Sequence, residues 1–403
     1  MAALVGGATS SLSRRLGRGG GSVVGGRAIL ALDPAALRHL STGRQVALVS
    51  GTNGKTTTTS LLAAALGTAG PVVSNLLGAN LPPGIAAALA GAPNGQTAAL
   101  EVDEAWLGRV VEATVPRVVL LLNLSRDQLD RNNEVRMLAA SWRRIFLDRQ
   151  GTTVVANADD PLVTWAASGP DVCWVGAGQP WTADASGCPA CGGRIEFDAG
   201  PGGPGWACRS CELHRPDLDV WLEDDTVVTA LGFRARLALS LPGRANRANA
   251  AMALAAATYF GVDPAAACGA MAAATEVVGR YRVVQAGAVR ARLLLAKNPA
   301  GWLEVLDVLA PPPDPVVVAI NSRIADGRDP SWLWDVPFER LRGRTVIASG
   351  ERSRDLAVRL HYAEVEHRRV DDPVAAISAA ASGGMIDVVG NYTAFQVLRA
   401  RLS

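Results

Sequence analysis

The chain has 403 residues, which is more than one ordinary domain needs and enough for two or three domains, each with its own core. Hydrophobic residues make up 49% of the chain and charged residues 19%, a globular composition that excludes wholesale disorder. Lys and Arg number 39 against 37 Asp and Glu, and this near-neutral balance argues against a general nucleic-acid-binding protein. No apolar run reaches the ~18–20 residues that span a bilayer, so we expect no transmembrane segment.

We interpret residues 1–43 as an N-terminal lead-in. Residues 11–27 are rich in glycine and serine and contain four arginines: Arg14, Arg15, Arg18 and Arg27. The segment lacks the apolar centre and the small-residue cleavage site of a secretory signal, so a flexible cytoplasmic start is expected. Contact of this basic segment with anionic lipid is the alternative.

A short apolar run, residues 45–49, ends at a glycine-rich loop. The loop is followed by an Ala- and Leu-rich run from Thr57 to Leu66 that predicts a helix. Strand, glycine loop and helix in this order form a phosphate site, because backbone N–H groups and the helix N-terminus face the anion. Lys55 adds a positive charge, and Thr56 supplies a hydroxyl for the magnesium ion that bridges the phosphates. The predicted ATP-binding residues are Gly51, Thr52, Asn53, Gly54, Lys55, Thr56 and Thr57. A glycine turn with an exposed lysine is the weaker alternative.

Acidic residues follow further predicted strands of the same domain. The strand that starts at Thr97 ends in Glu101 and Glu104, and the strand from Thr152 to Ala156 leads into the sequence NADDP. Carboxylates at strand ends beside a phosphate loop suit magnesium coordination, although surface caps are the alternative. Strands that alternate with helices predict an α/β fold with a parallel sheet.

Four of the six cysteines have a zinc-ribbon spacing. They form two Cys-x2-Cys pairs that are sixteen residues apart: Cys188, Cys191, Cys208 and Cys211. Four thiolates make a closed site, so we predict structural zinc in an insert over about 183–215. Disulfides are the weaker alternative, because a nucleotide-using enzyme without a signal sequence is expected in a reducing compartment. His214 is interpreted as a neighbour of the site.

The C-terminal part predicts a long helix and a second α/β unit. The helix opens at Gly243 and carries Asn246 and Asn249 on one face, where a side-chain amide can pair with a base edge. The predicted strands after it are 290–296, 316–321, 345–349 and 386–389. We therefore expect a central domain over 44–285 and a C-terminal domain over 286–403.

These motifs together resemble the MurT family, the ligase subunits of lipid II isoglutaminyl synthases. The motifs are GTNGKTTTT, LEVDE, DQLDR, NADDP, the four-cysteine insert, KNPAG and ADGRDPSWLWD, and the resemblance runs from about Gly20 to the end. The phosphate loop is shared with all Mur ligases, whereas the other motifs are more specific. The resemblance implies a Mur ligase-type central ATPase domain with an inserted four-cysteine zinc ribbon, and a C-terminal Rossmann-like α/β domain that interacts with a partner.

The resemblance also implies an activity. ATP would phosphorylate the α-carboxyl of D-glutamate in the lipid II stem peptide, and ammonia from a glutaminase partner, GatD, would form D-isoglutamine for peptidoglycan biosynthesis. Lys55, Glu101 and Glu104 would be catalytic, magnesium would be held by Thr56 with Glu101 or Glu104, and Asn249, with Asn246 as a second candidate, would meet the adenine. The protein would be cytoplasmic and would work transiently at the inner face of the bacterial membrane.

An aspartate of the C-terminal domain is implied to complete the catalytic triad of the partner, since the partner's imidazole needs an acceptor on its second nitrogen. We select Asp329, with Asp326 and Asp335 as runners-up. Trp332 and Trp334 alternate as on a strand or extended loop, and they could anchor a partner or pack between domains.

Two functional alternatives stay open. A stand-alone Mur or folylpolyglutamate-type ligase would use an amino acid as the nucleophile. A non-catalytic scaffold would bind ATP and a glutaminase for regulation.

Overall fold

The structure is a computed structural model that describes residues 22–75, 79–127, 135–169, 171–200, 203–274, 281–287, 289–380 and 384–402. The chain divides into two compact units: Met1–Leu124 with Val135–Thr275, and Ser125–Glu134 with Glu276–Ser403. These units differ from the predicted domains in two places. The segment 125–134 belongs to the second unit, and so do residues 276–285.

The first unit is built on a nine-stranded sheet with the order β11-β10-β9-β6-β5-β4-β1-β3-β2 in the part of the chain that the structure describes. The strands are β1 Val46–Ser50, β2 Val72–Ser74, β3 Thr97–Glu101, β4 Val118–Leu121, β5 Thr153–Asn157, β6 Val172–Gly176, β9 Val220–Glu223, β10 Thr226–Thr229 and β11 Arg234–Arg236. A separate hairpin is formed by β7 Ile195–Gly200 and β8 Gly203–Cys208. The helices are α1 Ser22–Leu32, α2 Ala36–Ser41, α3 Lys55–Leu66, α4 Pro82–Ala90, α5 Leu107–Thr114, α6 Val135–Phe146, α7 Pro161–Ala166, α8 Arg244–Thr258 and α9 Pro264–Ala272.

The central strands of this sheet are buried on both faces. In β1, Val46 and Leu48 face one core, whereas Ala47 and Val49 face the other, because successive side chains of a strand point to opposite faces. Neighbouring strands are parallel along the sheet from β2 through β3, β1, β4, β5 and β6 to β9. At the other edge, β9, β10 and β11 pair antiparallel. Parallel strands covered on both faces form near-continuous apolar runs, which is why the sequence pattern predicted them.

The N-terminal helices correct one prediction. Residues 22–41, which we expected to belong to a lead-in over 1–43, form α1 and α2, and Ile29, Ala36 and Leu37 are buried in the first core. The apolar sequence from Ile29 to Leu32 is too short to predict a helix beside two glycines. Residues 1–21, with Arg14, Arg15 and Arg18, lie outside the described residues.

Gly26 allows α1 to approach α4 closely. A Cβ on Gly26 would lie 1.7 Å from the carbonyl oxygen of Pro83, and backbone cannot yield as a flexible side chain can. Gly26→Ala should therefore lower the free energy of unfolding by about 1–3 kcal/mol, measured by chemical denaturation. Gly269→Ala in α9 is the matched control, because no atom lies within 4 Å of its added Cβ and alanine favours helix by about 1 kcal/mol. Equal effects of the two changes would contradict the close approach.

The second unit contains a six-stranded sheet with the order β12-β13-β17-β14-β15-β16 in the described residues. The strands are β12 Tyr281–Ala286, β13 Val289–Leu295, β14 Val316–Ala319, β15 Val346–Ser349, β16 His367–Arg369 and β17 Met385–Gly390. The helices are α10 Pro299–Leu306, α11 Ser353–Tyr362, α12 Pro373–Ala380 and α13 Tyr392–Arg401, with 3-10 helices at Ser331–Asp335 and Phe338–Leu341. In the described part of this sheet only β12 pairs antiparallel, and apolar cores cover both faces. This is the predicted second α/β unit.

The tryptophan-rich segment is a 3-10 helix, so the expected extended alternation of Trp332 and Trp334 is wrong. Trp332 is buried in the core of the second unit, whereas Trp334 is 54% exposed and lies 5.5 Å from the ring of Tyr362. Among the helices that the structure describes, none is long and apolar enough to cross a membrane.

Candidate functional site

The glycine-rich loop connects β1 to α3 at the carboxyl end of the parallel sheet. Gly51 has φ +147° and Gly54 has φ +83°, backbone conformations that L side chains rarely adopt. A Cβ on Gly51 would also come within 2.9 Å of Leu122 Cβ in the neighbouring chain segment. The loop can therefore turn tightly and lead into α3, whose start can face an anion.

Asn123, which follows β4, holds the loop in place. Its Oδ1 accepts a hydrogen bond from Asn53 N at 2.9 Å, and its Nδ2 donates to Asn53 O at 3.1 Å. Its own carbonyl accepts a third hydrogen bond from Thr52 N at 2.9 Å. These contacts fix the loop before any ligand arrives, which lowers the entropic cost of binding.

Thr56 and Glu101 meet at the end of the loop. Thr56 Oγ1 donates to Glu101 Oε2 at 2.9 Å, and Asn80 Nδ2 donates to Glu101 Oε1 at 3.3 Å. A hydroxyl and a carboxylate at this separation are the oxygen donors that magnesium prefers. These residues therefore fit a magnesium site, and the role of Thr56 and Glu101 as its ligands stays a prediction.

Lys55 is 4% exposed, which contradicts the alternative of an exposed lysine on a glycine turn. Its ammonium group donates to Gly51 O at 2.5 Å and pairs with Glu104 Oε2 at 2.9 Å. Glu104 is held in turn through its carbonyl, which accepts from Trp142 Nε1 at 3.0 Å. Glu104 is therefore a counter-ion of Lys55 in this structure, and its predicted role at magnesium stays a prediction.

The two asparagines of α8 differ in their contacts. The amide of Asn249 lies against the phosphate loop, so that a Cβ on Gly54 would be 2.6 Å from Asn249 Oδ1. Asn246 instead donates through Nδ2 to Pro242 O at 2.6 Å, which closes the turn before the helix. The structure thus brings Asn249, the first candidate, to the loop. Contact of either residue with adenine stays a prediction.

Asn75 is a site residue that sequence reasoning missed. It is buried after β2, its Oδ1 accepts from Glu101 N at 2.8 Å, and its Nδ2 donates to Glu101 O at 2.8 Å and to Ala79 O at 3.0 Å. Asn80 and Trp142 were also missed. In the sequence, Asn75 stands shortly after two valines, and that was the only available signal. A strand of three residues is too short to show the alternation of apolar and polar residues that predicts a strand.

Asn75→Ala should displace Glu101, because both hydrogen bonds to the backbone of Glu101 come from this amide. We expect the free energy of unfolding to fall by about 1–3 kcal/mol, since buried backbone groups would lose their partners. We also expect weaker magnesium activation of nucleotide turnover, measured as a higher magnesium concentration for half-maximal rate. A loss of stability with unchanged magnesium dependence would mean that Asn75 acts on the fold alone.

The four predicted zinc ligands converge in the ribbon. Their sulfur atoms all lie within 4.8 Å of one another, with Cys188 Sγ 3.7 Å from Cys211 Sγ and Cys191 Sγ 3.5 Å from Cys208 Sγ. Sulfurs bound tetrahedrally at about 2.3 Å from zinc would be about 3.8 Å apart, whereas a disulfide requires about 2.05 Å. The arrangement therefore fits zinc and not disulfides. His214 Nδ1 lies 2.7 Å from Glu212 O, outside the cluster.

Backbone N–H groups prepare two of these sulfurs for a cation. Gly193 N donates to Cys191 Sγ and Ser210 N donates to Cys208 Sγ, each at 3.3 Å. The hydrogen bond from Ser210 is the main cause that lowers the pKa of the Cys208 thiol to about 7. Thiolate is the form that binds metal.

The ribbon is anchored on the loop that follows β5. Trp206 Nε1 donates to Ala158 O at 2.9 Å, and Arg215 Nε pairs with Asp159 Oδ1 at 2.6 Å. Asp159 Oδ2 accepts from Gly178 N on the next loop. Asp159 of the NADDP motif therefore serves as an attachment point for the insert.

Asp160 is a buried helix cap. Its carboxylate accepts from Leu162 N and Val163 N at the start of α7 and from Leu124 N after β4. Burial raises the pKa of Asp160 to about 6. The acids after β5 were predicted to be magnesium ligands or surface caps. Asp160 is a helix cap, although it is buried and not on the surface.

The three aspartates proposed to serve a partner lie in different environments of the second unit. Asp326 is buried and accepts from Thr393 N at 2.8 Å and from Thr393 Oγ1, so its oxygens are used within the fold. Asp335 lies 3.4 Å from Arg126 Nη2. Asp329 is exposed, and one of its oxygens accepts from Ser331 N at 2.9 Å. Asp335 is exposed as well, so exposure excludes Asp326 and leaves Asp329 and Asp335 as candidates, and the choice of Asp329 stays a prediction.

The DQLDR motif extends beyond the described residues. Asp127 accepts from Lys297 Nζ of the KNPAG motif, so these two motifs meet within the second unit. Gln128 and the rest of the motif lie outside the described residues. Asn298, next to Lys297, caps α10 by accepting from Gly301 N at 2.9 Å.

Two sequence-family profiles match the chain. The profile described as Mur ligase middle domain matches residues 49–180, which include the glycine-rich loop. The profile described as MurT ligase C-terminal matches residues 295–395, within the second unit.

The chain is similar to characterised proteins over most of its length. It is 31% identical over 379 residues to "Lipid II isoglutaminyl synthase (glutamine-hydrolyzing) subunit MurT" of Streptococcus pneumoniae, covering 86% of this chain and 83% of that protein. The protein of the same name from Staphylococcus aureus strain N315 is 28% identical, with 88% and 85% covered. These matches confirm the resemblance predicted from the motifs.

Solved structures share the fold at low identity. A pseudomurein peptide ligase type C from Methanothermus fervidus has a TM-score of 0.68 at 19% identity, covering 89% of this chain and 79% of its own. MurF from Acinetobacter baumannii has a TM-score of 0.66 at 17% identity, with 94% and 80% covered. At these identities the likeness concerns the fold, and the predicted Mur ligase-type α/β architecture is confirmed.

Proposed function

The chain belongs to the MurT family of Mur ligase-like proteins, and from that membership we propose that it is the ATP-dependent ligase subunit of a lipid II isoglutaminyl synthase. The proposed reaction converts the α-carboxyl of D-glutamate in the lipid II stem peptide to a carboxamide. The ribbon predicted at about 183–215 is part of this proposal, whereas the limit predicted between 285 and 286 is replaced by the unit boundary after Thr275, because it would divide β12.

The observation that carries the proposal is the arrangement around the loop between β1 and α3. A buried lysine, a threonine hydroxyl and a strand-end carboxylate converge there at the start of α3: Lys55, Thr56 and Glu101. Such a site can hold a polyphosphate and a magnesium ion, and its charges favour negative charge that develops on phosphate oxygens. A non-catalytic scaffold that binds magnesium-ATP would use the same residues, so the amidation assay described below separates the two alternatives.

The residues would act as follows. N–H groups at the start of α3 and the Lys55 ammonium would bind the phosphates of ATP, and Thr56 with Glu101 would hold magnesium, which supplies charge neutralisation when bound. Phosphoryl transfer to the substrate carboxylate would give an acyl phosphate, and ammonia would displace phosphate to give the amide. Asn249, beside Gly54, is placed to contact the nucleotide.

Ammonia would come from a separate glutaminase subunit of the GatD type. The names of the relatives describe a glutamine-hydrolysing synthase with a MurT subunit, which supports a partner for this chain. Because its substrate is carried on a lipid, we propose that the protein works on the cytoplasmic side of the membrane and meets that surface transiently.

The first test is mass spectrometry of lipid II after incubation with the protein, magnesium-ATP, glutamine and a co-expressed candidate glutaminase. We expect the mass decrease of a carboxyl-to-carboxamide conversion, and we expect it to require ATP and the partner. ATP consumption only when a free amino acid is supplied, with no amidation, would overturn the proposal in favour of a stand-alone amino-acid ligase.

The role of Asp329 is tested by comparing nitrogen sources. Asp329→Asn should lower glutamine-dependent amidation by about 10²–10⁴-fold, because an imidazole without its carboxylate partner takes the wrong tautomer. Amidation with ammonium chloride should change little, since free ammonia bypasses the glutaminase. Asp335→Asn is the matched control, because Asp335 is a partly exposed aspartate in the same segment. A selective loss of glutamine use in the control, and not in Asp329→Asn, would move the role to Asp335.

A further inference from the structure

The outward face of α1 is apolar. Val23 is 40% exposed, Val24 is 48% exposed and Leu32 is 60% exposed, although each is a large hydrophobic residue. Leu81, which precedes α4, is 43% exposed. The inward face of α1, which includes Gly26 and Ile29, packs against α4 and the first core. The helix therefore presents apolar side chains on both sides, and only one side is covered within the first unit.

Four exposed residues of α1 form one surface, which we call the α1 face: Val23, Val24, Arg27 and Ala31. A helix turns by 100° per residue, so these four positions lie within a 100° arc, whereas Leu32 lies 80° beyond it.

The charge on this face has a single sign. Arg27 is exposed on the face, and no acidic residue occurs in the chain before Asp33. The sequence ahead of the helix adds Arg14, Arg15 and Arg18. A face with apolar side chains and arginines, and without acids, favours a binding partner whose surface is negatively charged and whose interior is apolar. An anionic phospholipid bilayer has that chemistry.

We propose that the α1 face docks this protein on the surface of an anionic phospholipid bilayer. The inference rests on the proposed function, because a ligase for a lipid-carried substrate must reach its substrate at the membrane. A second copy of the chain is a poorer occupant, since a two-fold contact through this face would bring each copy's Arg27 toward the same arginine without an acid between them. The valines would enter the interface between headgroups and acyl chains, and the arginines would remain among the phosphates.

The test is co-sedimentation of the full chain with vesicles. Phosphatidylcholine vesicles that contain phosphatidylglycerol should bind the protein, and vesicles of phosphatidylcholine alone should bind it at least about fivefold more weakly, because each arginine near an anionic surface contributes about that factor. Added salt should weaken the binding to the anionic vesicles. Equal binding to both kinds of vesicle would overturn the proposal.

A matched pair of double variants locates the docking surface. Val23→Asp with Arg27→Gln changes the α1 face and should reduce binding to anionic vesicles by at least about tenfold. Arg354→Gln with Val358→Asp is the control, because these two exposed residues have the same spacing on α11 of the second unit. Thermal unfolding should show that both variants are folded. Equal loss in both variants, or none in the first, would overturn the assignment to the α1 face.

Activity separates this proposal from the proposed function. With a water-soluble short-chain analogue of lipid II, the Val23→Asp/Arg27→Gln variant should turn over as the unchanged protein does. With lipid II embedded in vesicles it should be slower. If the unchanged protein amidates both substrates but binds no vesicles, docking by the α1 face is wrong and the proposed function stands. If it binds anionic vesicles but amidates neither substrate, the proposed function is wrong. Self-association of the unchanged protein that the first variant abolishes, without vesicle binding, would assign the face to a second copy.

Discussion

Replacing Lys55 with methionine is expected to lower the rate of ATP-dependent amidation by at least about 10³-fold. The ammonium group is buried beside the loop carbonyls, and we predict that it contacts the phosphates of the nucleotide. A fixed cation in such a site stabilises charge that develops during phosphoryl transfer, and its loss corresponds to about 4 kcal/mol of transition-state free energy. The measurement is the kcat/KM of amidation with the glutaminase present, together with the affinity for ATP.

Stability must be separated from catalysis in this variant. Lys55→Met leaves the carboxylate of Glu104, which is largely buried, without its cation, and breaking a buried pair can cost about 3–5 kcal/mol. The double variant Lys55→Met/Glu104→Gln removes that charge and should recover most of the stability measured by chemical denaturation. Its activity should stay low. Recovery of activity in the double variant would mean that Lys55 acts by holding Glu104 and not by binding phosphate.

Loss of zinc is expected to unfold the ribbon. The apolar cluster of the hairpin consists of few buried residues: Cys188, Ile195, Trp206 and Cys208. So small a cluster cannot offset the conformational entropy of the insert, whereas structural zinc contributes about 10–16 kcal/mol of apparent binding free energy in small domains. Cys208→Ser should abolish stoichiometric zinc by metal analysis. Amide hydrogen exchange over 195–208 should become fast, while β1 and β4 stay protected.

The contacts of the ribbon extend this prediction. Unfolding of the hairpin removes the hydrogen bond from Trp206 to Ala158 and loosens the pair between Arg215 and Asp159. Faster exchange should therefore reach the loop after β5. Cys268→Ser is the control, because Cys268 lies on α9 away from the cluster. Protein that contains no zinc and resists chelators with unchanged exchange would contradict a structural metal.

The strand–loop–helix of the site was predictable because its signals are local. A buried parallel strand is a continuous apolar run, and the glycines mark backbone angles that other residues rarely adopt. The same holds for the cysteine pairs, whose spacing is set by the knuckle turns that bring four sulfurs together. The alternating strands predicted the second α/β unit, and the resemblance to the MurT family added the candidate aspartates.

Other parts depend on contacts that a linear pattern does not contain. Asn75 follows a strand of three residues, and its role comes from backbone groups of Glu101, 26 positions away. Gly26 would count against a helix by propensity, yet it is required because α4 lies so close. Trp332 and Trp334 suggested a strand by spacing, but a 3-10 helix separates a buried ring from an exposed one equally well.

The route of the chain through its two units also constrains its synthesis. The chain leaves the first unit after Leu124, re-enters it at Val135 and leaves again after Thr275. Asp127 therefore emerges from the ribosome long before Lys297, its partner within the second unit. The first unit must therefore fold while the segment 125–134, which belongs to the second unit, still lacks the rest of that unit. A recombination event at 275–276 alone would likewise separate the second unit from part of itself, so we expect the two units to be inherited together.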